Sequence, residues 1–299
     1  MRRAWSLWLV PDSDFCMGIS VKVVSDMRIE DTQRNLYDRE YATLPKRFRG
    51  FENWRLSYVR RIFSELAVVP EDQLLDVGVG GTGFTVIASA LGGTFSVGTD
   101  ISYVACVKAR DYAMQSGASP RSHFVNSSAT LLPFREASFS KIISNAVLEH
   151  LEDDDLALDE LSRVASPRGR VLICVPNSYM FMALPLAILN LWNDRRVGHL
   201  RHYASTDLVS RGARRALRAI DVTFHAHVIK IVQAVIAMVI PAVRNPASRV
   251  WWHLERMDLD AKGDPSGMNV TVTFEKVAIA PAGGATSAAA IAPTQDMNR

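Results

Sequence analysis

The chain has 299 residues, 48% of them hydrophobic and 22% charged, and its 34 Lys and Arg against 31 Asp and Glu give a formal net charge of +3. This balance is typical of a globular protein and excludes disorder as the main state. The positive charges are dispersed and form no basic stripe, which argues against a nucleic-acid partner. The three cysteines, Cys16, Cys106 and Cys174, are too scattered for a disulfide framework or a zinc motif, so a reducing, cytoplasmic setting is expected.

Composition divides the chain into four predicted parts. They are a disordered or misannotated leader at 1–27, an aromatic-rich helical cap at 28–70, the main domain at 71–278, and a disordered tail rich in Ala, Gly, Thr and Ser at 279–299. Apolar insertions interrupt the main domain near 178–200 and 228–260. Neither insertion has the uninterrupted run of about 18 apolar residues that a membrane span requires.

Short apolar runs alternate with amphipathic segments through the first half of the main domain. Strands are predicted at 73–77, 94–98, 123–125, 141–144 and 170–175, and helices at 85–91, 103–116 and 154–164. This alternation is typical of an α/β protein with a mostly parallel, doubly wound sheet.

The second half of the main domain is predicted in less detail. Ser205 to Asp207 predict the start of a helix that runs to about Ala219, and residues 269–278 alternate like a strand. His225 and His227 alternate within another predicted strand, so one of these two histidines is expected to be exposed to solvent.

A glycine-rich turn follows the first predicted strand, at the place where a parallel sheet binds nucleotide-like ligands. Its sequence is Asp76-Val77-Gly78-Val79-Gly80-Gly81-Thr82-Gly83. Glycines in such a turn let backbone N–H groups approach a ligand closely. Three interpretations of the turn stay open. It is a site for a nucleotide-like ligand, a site for a dinucleotide, because Gly78, Gly80 and Gly83 also satisfy the GxGxxG pattern, or a purely structural turn between a strand and a helix.

An acidic residue, Asp100, ends the second predicted strand. A carboxylate at this position accepts hydrogen bonds from both ribose hydroxyls of a bound nucleoside. Ile101 would then cover one face of an adenine ring. Asp100 could instead be the N-cap of the following helix, and the two roles are compatible.

Motifs farther along the chain narrow the choice of family. They are Leu132-Pro133-Phe134, Ser138 to Asn145, Val147-Leu148-Glu149-His150-Leu151, Leu161 to Val164, and Pro167 to Ile173. With the glycine turn and Asp100 before them, in this order and spacing, the sequence resembles the class I S-adenosylmethionine-dependent methyltransferases. Within that class, the sequence resembles the group of small-molecule enzymes that includes the ubiquinone and menaquinone biosynthesis methyltransferases. The resemblance extends from Gln73 to Asn177.

The resemblance implies a Rossmann-like, seven-stranded sheet, S-adenosyl-L-methionine as cofactor, and methylation of a small acceptor at oxygen, nitrogen or carbon. Asp76 would face the ammonium group of the cofactor, Asp100 and Ile101 the ribose and adenine, and Asn145 the sulfonium. The rest of the implied cofactor site is Gly78, Gly80, Gly81, Thr82, Gly83, Ser128 and Ala129. The family usually has a glycine in place of Thr82 and acids in place of Ser128 and Ser140, so weaker cofactor binding is expected.

Three histidines are candidates for acceptor chemistry. His150 follows the fourth strand, where the methyl group should emerge, and would be either a general base or a structural hydrogen-bonding group. His199 and His202 would line the acceptor pocket or form a hydrogen-bonded cluster. No metal is predicted, because no nearby cysteine or carboxylate completes a site with this pair.

The apolar insertions shape the expected acceptor. They form either the packed core of a cap or a pocket for a lipid-like small molecule such as a quinone, polyketide or glycolipid, with peripheral membrane contact in the second case. No obligate protein partner is evident. Two other functions stay open: an NAD(P)-dependent oxidoreductase, although no Tyr-x-x-x-Lys pair follows the fourth strand, and a binding protein that keeps the fold without activity.

Overall fold

The computed structural model describes residues 27–244 and 248–278. The predicted leader, apart from Met27, and the predicted tail at 279–299 lie outside the described residues. Within the described ranges, no helix is long and apolar enough to cross a membrane.

Helices and strands alternate along the described chain, as the sequence pattern predicts. The helices are α1 (Met27–Ala42), α2 (Asn53–Leu66), α3 (Phe84–Leu91), α4 (Tyr103–Ser116), α5 (Asp154–Val164), α6 (Leu184–Val197), α7 (Ser205–Ala213), α8 (Ile229–Val239) and α9 (Arg249–Asp260). The strands are β1 (Gln73–Val77), β2 (Phe95–Asp100), β3 (Ser122–Asn126), β4 (Phe139–Asn145), β5 (Ala165–Pro176), β6 (Leu217–His225) and β7 (Asn269–Lys276). A 3-10 turn, Leu148–His150, follows β4.

The strands form a seven-stranded sheet with the order β3-β2-β1-β4-β5-β7-β6, which confirms the predicted α/β fold. Strands β1 to β5 pair in parallel, whereas β7 lies antiparallel between β5 and β6. The antiparallel β7 departs from the 3-2-1-4-5-6 order of dinucleotide-binding sheets, in which the sixth strand lies beside the fifth.

Alternate residues of the central strands pack into two cores on opposite faces of the sheet. On one face, Leu75 and Ile142 pack against residues of α5 and α7. On the other face, Leu74 and Ile143 pack against residues of α2. Because both faces are covered, these strands have continuous apolar runs instead of an alternating pattern. The helix α2 therefore packs in the same core as the sheet.

The strand order reverses between β1 and β4, which are neighbours although β2 and β3 lie between them in sequence. The helical connections leave on opposite sides of this point, so a crevice opens outside the carboxyl ends of the two strands, and ligands of doubly wound sheets bind there. The glycine turn follows β1 and Asn145 ends β4, so both border the crevice at the carboxyl ends of these strands.

The predicted length of α7 was wrong. The helix ends at Ala213 instead of continuing to about Ala219. Ala216 adopts a left-handed φ of 55°, which a continuing helix does not allow. Leu217 then begins β6 by pairing with Lys276 of β7.

The prediction that one histidine near the end of β6 is exposed was also wrong, because both are buried. Nε2 of His225 lies 2.9 Å from the hydroxyl of Thr223. Nδ1 of His227 lies 3.0 Å from the carboxylate of Asp258 on α9. Alternation misleads here because β6 ends at His225 and the residues after it bind α9.

Candidate functional site

Backbone hydrogen bonds hold the glycine turn against β2. The N–H groups of Gly78 and Val79 donate to the carbonyl of Thr99, at 2.8 and 2.9 Å. Gly78 has a φ of 75°, which glycine adopts without strain. A Cβ at Gly78 would overlap the side chain of Val147, just after β4. The turn therefore packs closely over the point where the strand order reverses.

Asp100 lies beside this turn with both carboxylate oxygens bonded to backbone. Oδ2 accepts from the N–H of Gly80 and Oδ1 from the N–H of Ser102, each at 2.9 Å. The N-cap of α4 is Ser102, whose hydroxyl accepts from the N–H of Ala105, so the capping alternative for Asp100 is wrong. Burial, with a smaller contribution from the charge of Asp38, raises the pKa of Asp100 to about 6.

Asp76 lies behind the turn, near the end of β1. It is buried and accepts a hydrogen bond from the hydroxyl of Thr85 on α3. Burial raises the pKa of Asp76 to about 7; the Thr85 hydroxyl opposes this shift and the charge of Asp100 adds to it. The two carboxylates concentrate negative charge at the turn, which favours a cationic ligand group there.

Replacement of Asp76 by Asn is expected to stabilise the ligand-free protein at pH 8 by about 2 to 4 kcal/mol. The pKa of Asp76 in the folded protein, about 7, exceeds its ordinary value of 3.8. The folded state thus binds the proton more tightly, and the stability this gives at low pH is lost as the pH rises through 7. The neutral amide avoids that loss. Equal unfolding free energies of the two proteins at pH 8, measured by denaturant titration, would contradict the destabilising charge of the buried Asp76 carboxylate.

The helix α1 lies across the glycine turn. The ring of Tyr41 would be 2.9 Å from a Cβ placed on Gly81. Tyr37 stacks on Tyr41 with ring centroids 5.9 Å apart. Gln33, one turn earlier, donates a hydrogen bond to the carbonyl of His150. These contacts place aromatic side chains of α1 over the turn.

Other predicted cofactor residues follow β2 and β3 at the same edge of the sheet. The carbonyl of Ile101 accepts from Nδ2 of Asn126, the last residue of β3, at 2.8 Å. Ser128 and Ala129 come next, and the hydroxyl of Ser128 lies 2.8 Å from that of Thr130. The chain therefore continues from β3 into the region beside Ile101.

Two residues that depart from the family pattern lie at opposite ends of the central strands. Thr82 is in the glycine turn, where its hydroxyl accepts from the guanidinium of Arg55 at 2.8 Å. Ser140 is near the amino end of β4, where its hydroxyl donates to Asp72 at 2.7 Å and accepts from the N–H of Gln73 at 3.0 Å. Ser140 is therefore remote from the candidate cofactor site.

The three candidate histidines lie together with two carboxylates. The ring centroid of His150 is 4.9 Å from that of His199. His199 places Nδ1 2.6 Å from Asp194 and Nε2 3.9 Å from Glu149. Nε2 of His202 lies 2.8 Å from the second oxygen of Asp194. The prediction that no carboxylate completes a site with His199 and His202 was therefore wrong, because the fold supplies two.

Burial sets the protonation of this cluster. It raises the pKa of Glu149 to about 8, and repulsion from Asp194 adds to the shift. It lowers the pKa of His150 to about 4, with a further contribution from His199. An ionised carboxylate and a protonated imidazole are therefore both costly here without a further partner.

A cavity of about 410 Å³ opens at the carboxyl ends of β4 and β5 and the amino end of the antiparallel β7. Asn145 and Glu149 form its side nearest β4, and His225 lines it at the end of β6. The helices α2, α8 and α9 close it with charged and polar side chains, among them Arg61, Lys230, Gln233, Glu255 and Asp258. His150, His199 and His202 are not part of the lining, so Glu149 is the member of the cluster that faces the cavity.

Sequence reasoning missed most of the polar residues that line the cavity. Lys230 and Gln233 were visible only as interruptions of an apolar stretch, three residues apart and therefore on one face of a helix. That spacing was the available signal for a helix with a polar inner face. Nothing local in the sequence marked Arg61 or Glu255 as neighbours of the same space.

Comparison with known proteins places this geometry in a family. Residues 75–173 match the profile of the family described as a methyltransferase domain. Over 121 residues the chain is 32% identical to the demethylmenaquinone methyltransferase of Clavibacter sepedonicus, an alignment that covers 40% of this chain and 46% of that protein. The chain thus matches about half the length of its curated relatives.

Solved structures share the fold at low sequence identity. Geranyl diphosphate C-methyltransferase from Streptomyces coelicolor A3(2), in complex with Mg²⁺, geranyl diphosphate and S-adenosyl-L-homocysteine, has a TM-score of 0.59 at 12% identity, over 82% of this chain and 98% of that one. The cyclase SpnF has a TM-score of 0.52 at 17% identity, over 74% of this chain and 80% of that one. The family match over residues 75–173, the sheet order and the glycine turn together show a methyltransferase domain with a Rossmann-like fold in this part of the chain.

Proposed function

We propose that the protein uses S-adenosyl-L-methionine to methylate a small acceptor. The observation that carries the proposal is that the glycine turn lies close to the cavity: Gly78 packs against Val147, and Asn145, two residues earlier, lines the cavity. A cofactor held by the turn would direct its methyl group toward a space large enough for a small acceptor. Methyl transfer then requires the protein to align the two molecules and exclude water.

The cofactor would lie along the edge from β1 to β3. The backbone N–H groups of the turn would bind its methionine end, and Asp76 would compensate the ammonium charge. Asp100 would accept hydrogen bonds from the ribose hydroxyls, while Ile101, Ser128 and Ala129 would border the adenine. The cofactor supplies the methyl group, and the residues of the chain bind and orient it.

The helix α1 is proposed to cover the bound cofactor. Replacement of Gly81 by Ala would place a methyl group 2.7 Å from Leu44 and 2.9 Å from Tyr41, so α1 would have to move away from the turn. S-adenosylhomocysteine should then bind about tenfold more weakly by calorimetry. Gly263 is the matched control, because a Cβ there would meet nothing within 4 Å. Equal affinities in the Gly81→Ala and Gly263→Ala proteins would contradict the proposal that α1 covers the cofactor.

The proposed acceptor has a polar reacting end and an apolar remainder. The cavity is lined by charged groups, so the part of the acceptor that enters it must offer hydrogen bonds. The helix α8 directs Lys230 and Gln233 to the cavity and exposes Val232, Val235 and Met238 on its other side. An apolar outer surface beside a polar pocket suits a lipid-like molecule such as a quinone, taken up in peripheral contact with a membrane.

The three histidines are proposed to act on the acceptor through Glu149, which faces the cavity while His150, His199 and His202 lie behind it. A direct general-base role for His150 is less well supported by this placement. The reaction is proposed to take place in the cytoplasm, where the buried thiols of Cys106 and Cys174 would stay reduced.

The proposed function is tested by following the methyl group. The protein is incubated with S-adenosyl-L-methionine tritiated on that methyl group and with demethylmenaquinone, then extracted with an organic solvent. Label in the extract from the wild type, and much less with Asp100→Asn at the same subsaturating cofactor concentration, is the expected result. Label transferred only to polar acceptors would overturn the lipid-like acceptor. No transfer to any acceptor, with no cofactor binding, would overturn the methyltransferase.

A further inference from the structure

Glu149 is a buried carboxylate without a hydrogen-bond partner. Its side chain is 1% exposed, and neither Oε1 nor Oε2 has a partner among the described residues. A buried carboxylate left this way is costly, and in folded proteins such a group is ordinarily paired or bound to a metal ion. The arrangement around Glu149 therefore requires a further partner.

Two imidazoles lie within reach of the same point. His150 is buried, and its Nδ1 also has no hydrogen-bond partner in the described part of the chain. Nε2 of His199 lies 3.9 Å from Oε1 of Glu149. One ligand atom from each of these three residues lies within 4.8 Å of the others. Ligands of a single ion at about 2 Å are separated by at most about 4 Å, so small side-chain rotations would bring all three to one ion.

Asp194 orients His199 from the other side. Its Oδ1 lies 2.6 Å from Nδ1 of His199. A proton on Nδ1, donated to this carboxylate, leaves the lone pair of Nε2 directed toward Glu149. Metal-binding histidines characteristically donate their second N–H to a carboxylate in this way.

We propose that Glu149, His150 and His199 bind a divalent transition-metal cation of the zinc class, with Asp194 as the carboxylate that orients His199. Two imidazoles and one carboxylate form a ligand set suited to such ions, whereas magnesium and calcium prefer oxygen ligands only. His202 is not a ligand, because its Nδ1 is bonded to the carbonyl of Asn177 and its Nε2 to Asp194, each at 2.8 Å.

The cation would lie at the wall of the cavity, because Glu149 belongs to its lining. Three protein ligands leave at least one coordination position for another molecule. On the proposed function, a polar atom of the acceptor would take that position and be held and polarised beside the methyl group. Metal binding itself does not depend on the methyltransferase proposal.

The test is metal binding by the full chain after treatment with a chelator and dialysis. Calorimetry with Zn²⁺ is expected to show one equivalent bound, and Co²⁺ is expected to give visible absorption of a low-coordinate site. His199→Gln and the isosteric Glu149→Gln should weaken Zn²⁺ binding by at least about 100-fold, and Asp194→Asn by about 10- to 100-fold. His253→Gln, an exposed histidine on α9, is the matched control and should bind as the wild type does.

Several outcomes would overturn the site. They are the absence of stoichiometric binding, equal binding by the Glu149→Gln and wild-type proteins, and a loss in His253→Gln as large as in His199→Gln. Zn²⁺ should also raise the Tm of the wild type but not that of His199→Gln, which separates lost binding from lost folding. S-adenosylhomocysteine is titrated in parallel: if it binds while Zn²⁺ does not, the metal site fails and the proposed function stands.

Discussion

Replacement of Asp100 by Asn is expected to weaken binding of S-adenosylhomocysteine about 100-fold. The carboxylate is proposed to accept hydrogen bonds from two ribose hydroxyls, and each bond to a charged acceptor contributes about 1.5 to 3 kcal/mol. It already accepts from the backbone of Gly80 and Ser102, so its oxygens are fixed in position. The amide keeps the size of the side chain but has only one acceptor oxygen. Calorimetry of the two proteins at pH 7.5 measures the difference.

The pH dependence of the same interaction gives a control. The pKa of Asp100 is raised to about 6, so acid protonates the carboxylate and removes an acceptor. Wild-type affinity should fall between pH 7.5 and 5, and about tenfold more than that of Asp100→Asn. Asp76, with a pKa of about 7, titrates in the same range, and Asp38 faces Asp100 across Ser102. Asp76→Asn is therefore measured alongside, and a wild-type affinity independent of pH would contradict the role of Asp100.

Replacement of Asp154 by Ala is expected to lower the free energy of unfolding by about 3 to 5 kcal/mol. The Oδ1 atom accepts from Arg201 at 2.6 Å, and Oδ2 accepts from Arg211 at 2.8 Å and Tyr203 at 2.7 Å. Arg211 and Tyr203 are buried, so removal of the carboxylate leaves a guanidinium and a phenol without this partner. Denaturant unfolding at pH 7 measures the loss.

Asp159 provides the matched control on the same helix. It pairs with Arg215 at 2.6 Å, but its side chain is 56% exposed. Such a surface pair contributes about 0.5 kcal/mol or less, so Asp159→Ala should be nearly neutral. Similar losses of unfolding free energy in the two variants would show that the buried network around Asp154 contributes no more to stability than a surface ion pair. Arg201 and Tyr203 flank His202, so Asp154→Ala should also loosen the histidine cluster.

The sheet and the glycine turn could be predicted because their signals are local. The apolar runs of β1, β4 and β5 follow from burial on both faces, and α4 and α5 were bounded correctly from periodicity and caps. The order of glycines, acid and later motifs then identified the family. Each of these features is contained within one strand, one helix or one turn.

The polar cavity and the histidine cluster could not be predicted, because they depend on how distant segments pack. Glu149 follows β4, whereas His199 and Asp194 belong to a segment after β5, and they meet only in the folded chain. Nothing in the sequence linked His225 to Arg61, but both line the same cavity. Burial also decides which groups ionise, and a sequence does not show how deeply a carboxylate lies.

The central claim is that this turn binds the methyl donor, and one titration tests it most directly. The wild-type chain is titrated by calorimetry with S-adenosylhomocysteine, and separately with NAD and NADP. One equivalent of S-adenosylhomocysteine bound with micromolar affinity, and no binding of either nicotinamide nucleotide, is the expected result. Binding of NAD or NADP without binding of S-adenosylhomocysteine would contradict the methyltransferase function and make the chain an oxidoreductase candidate.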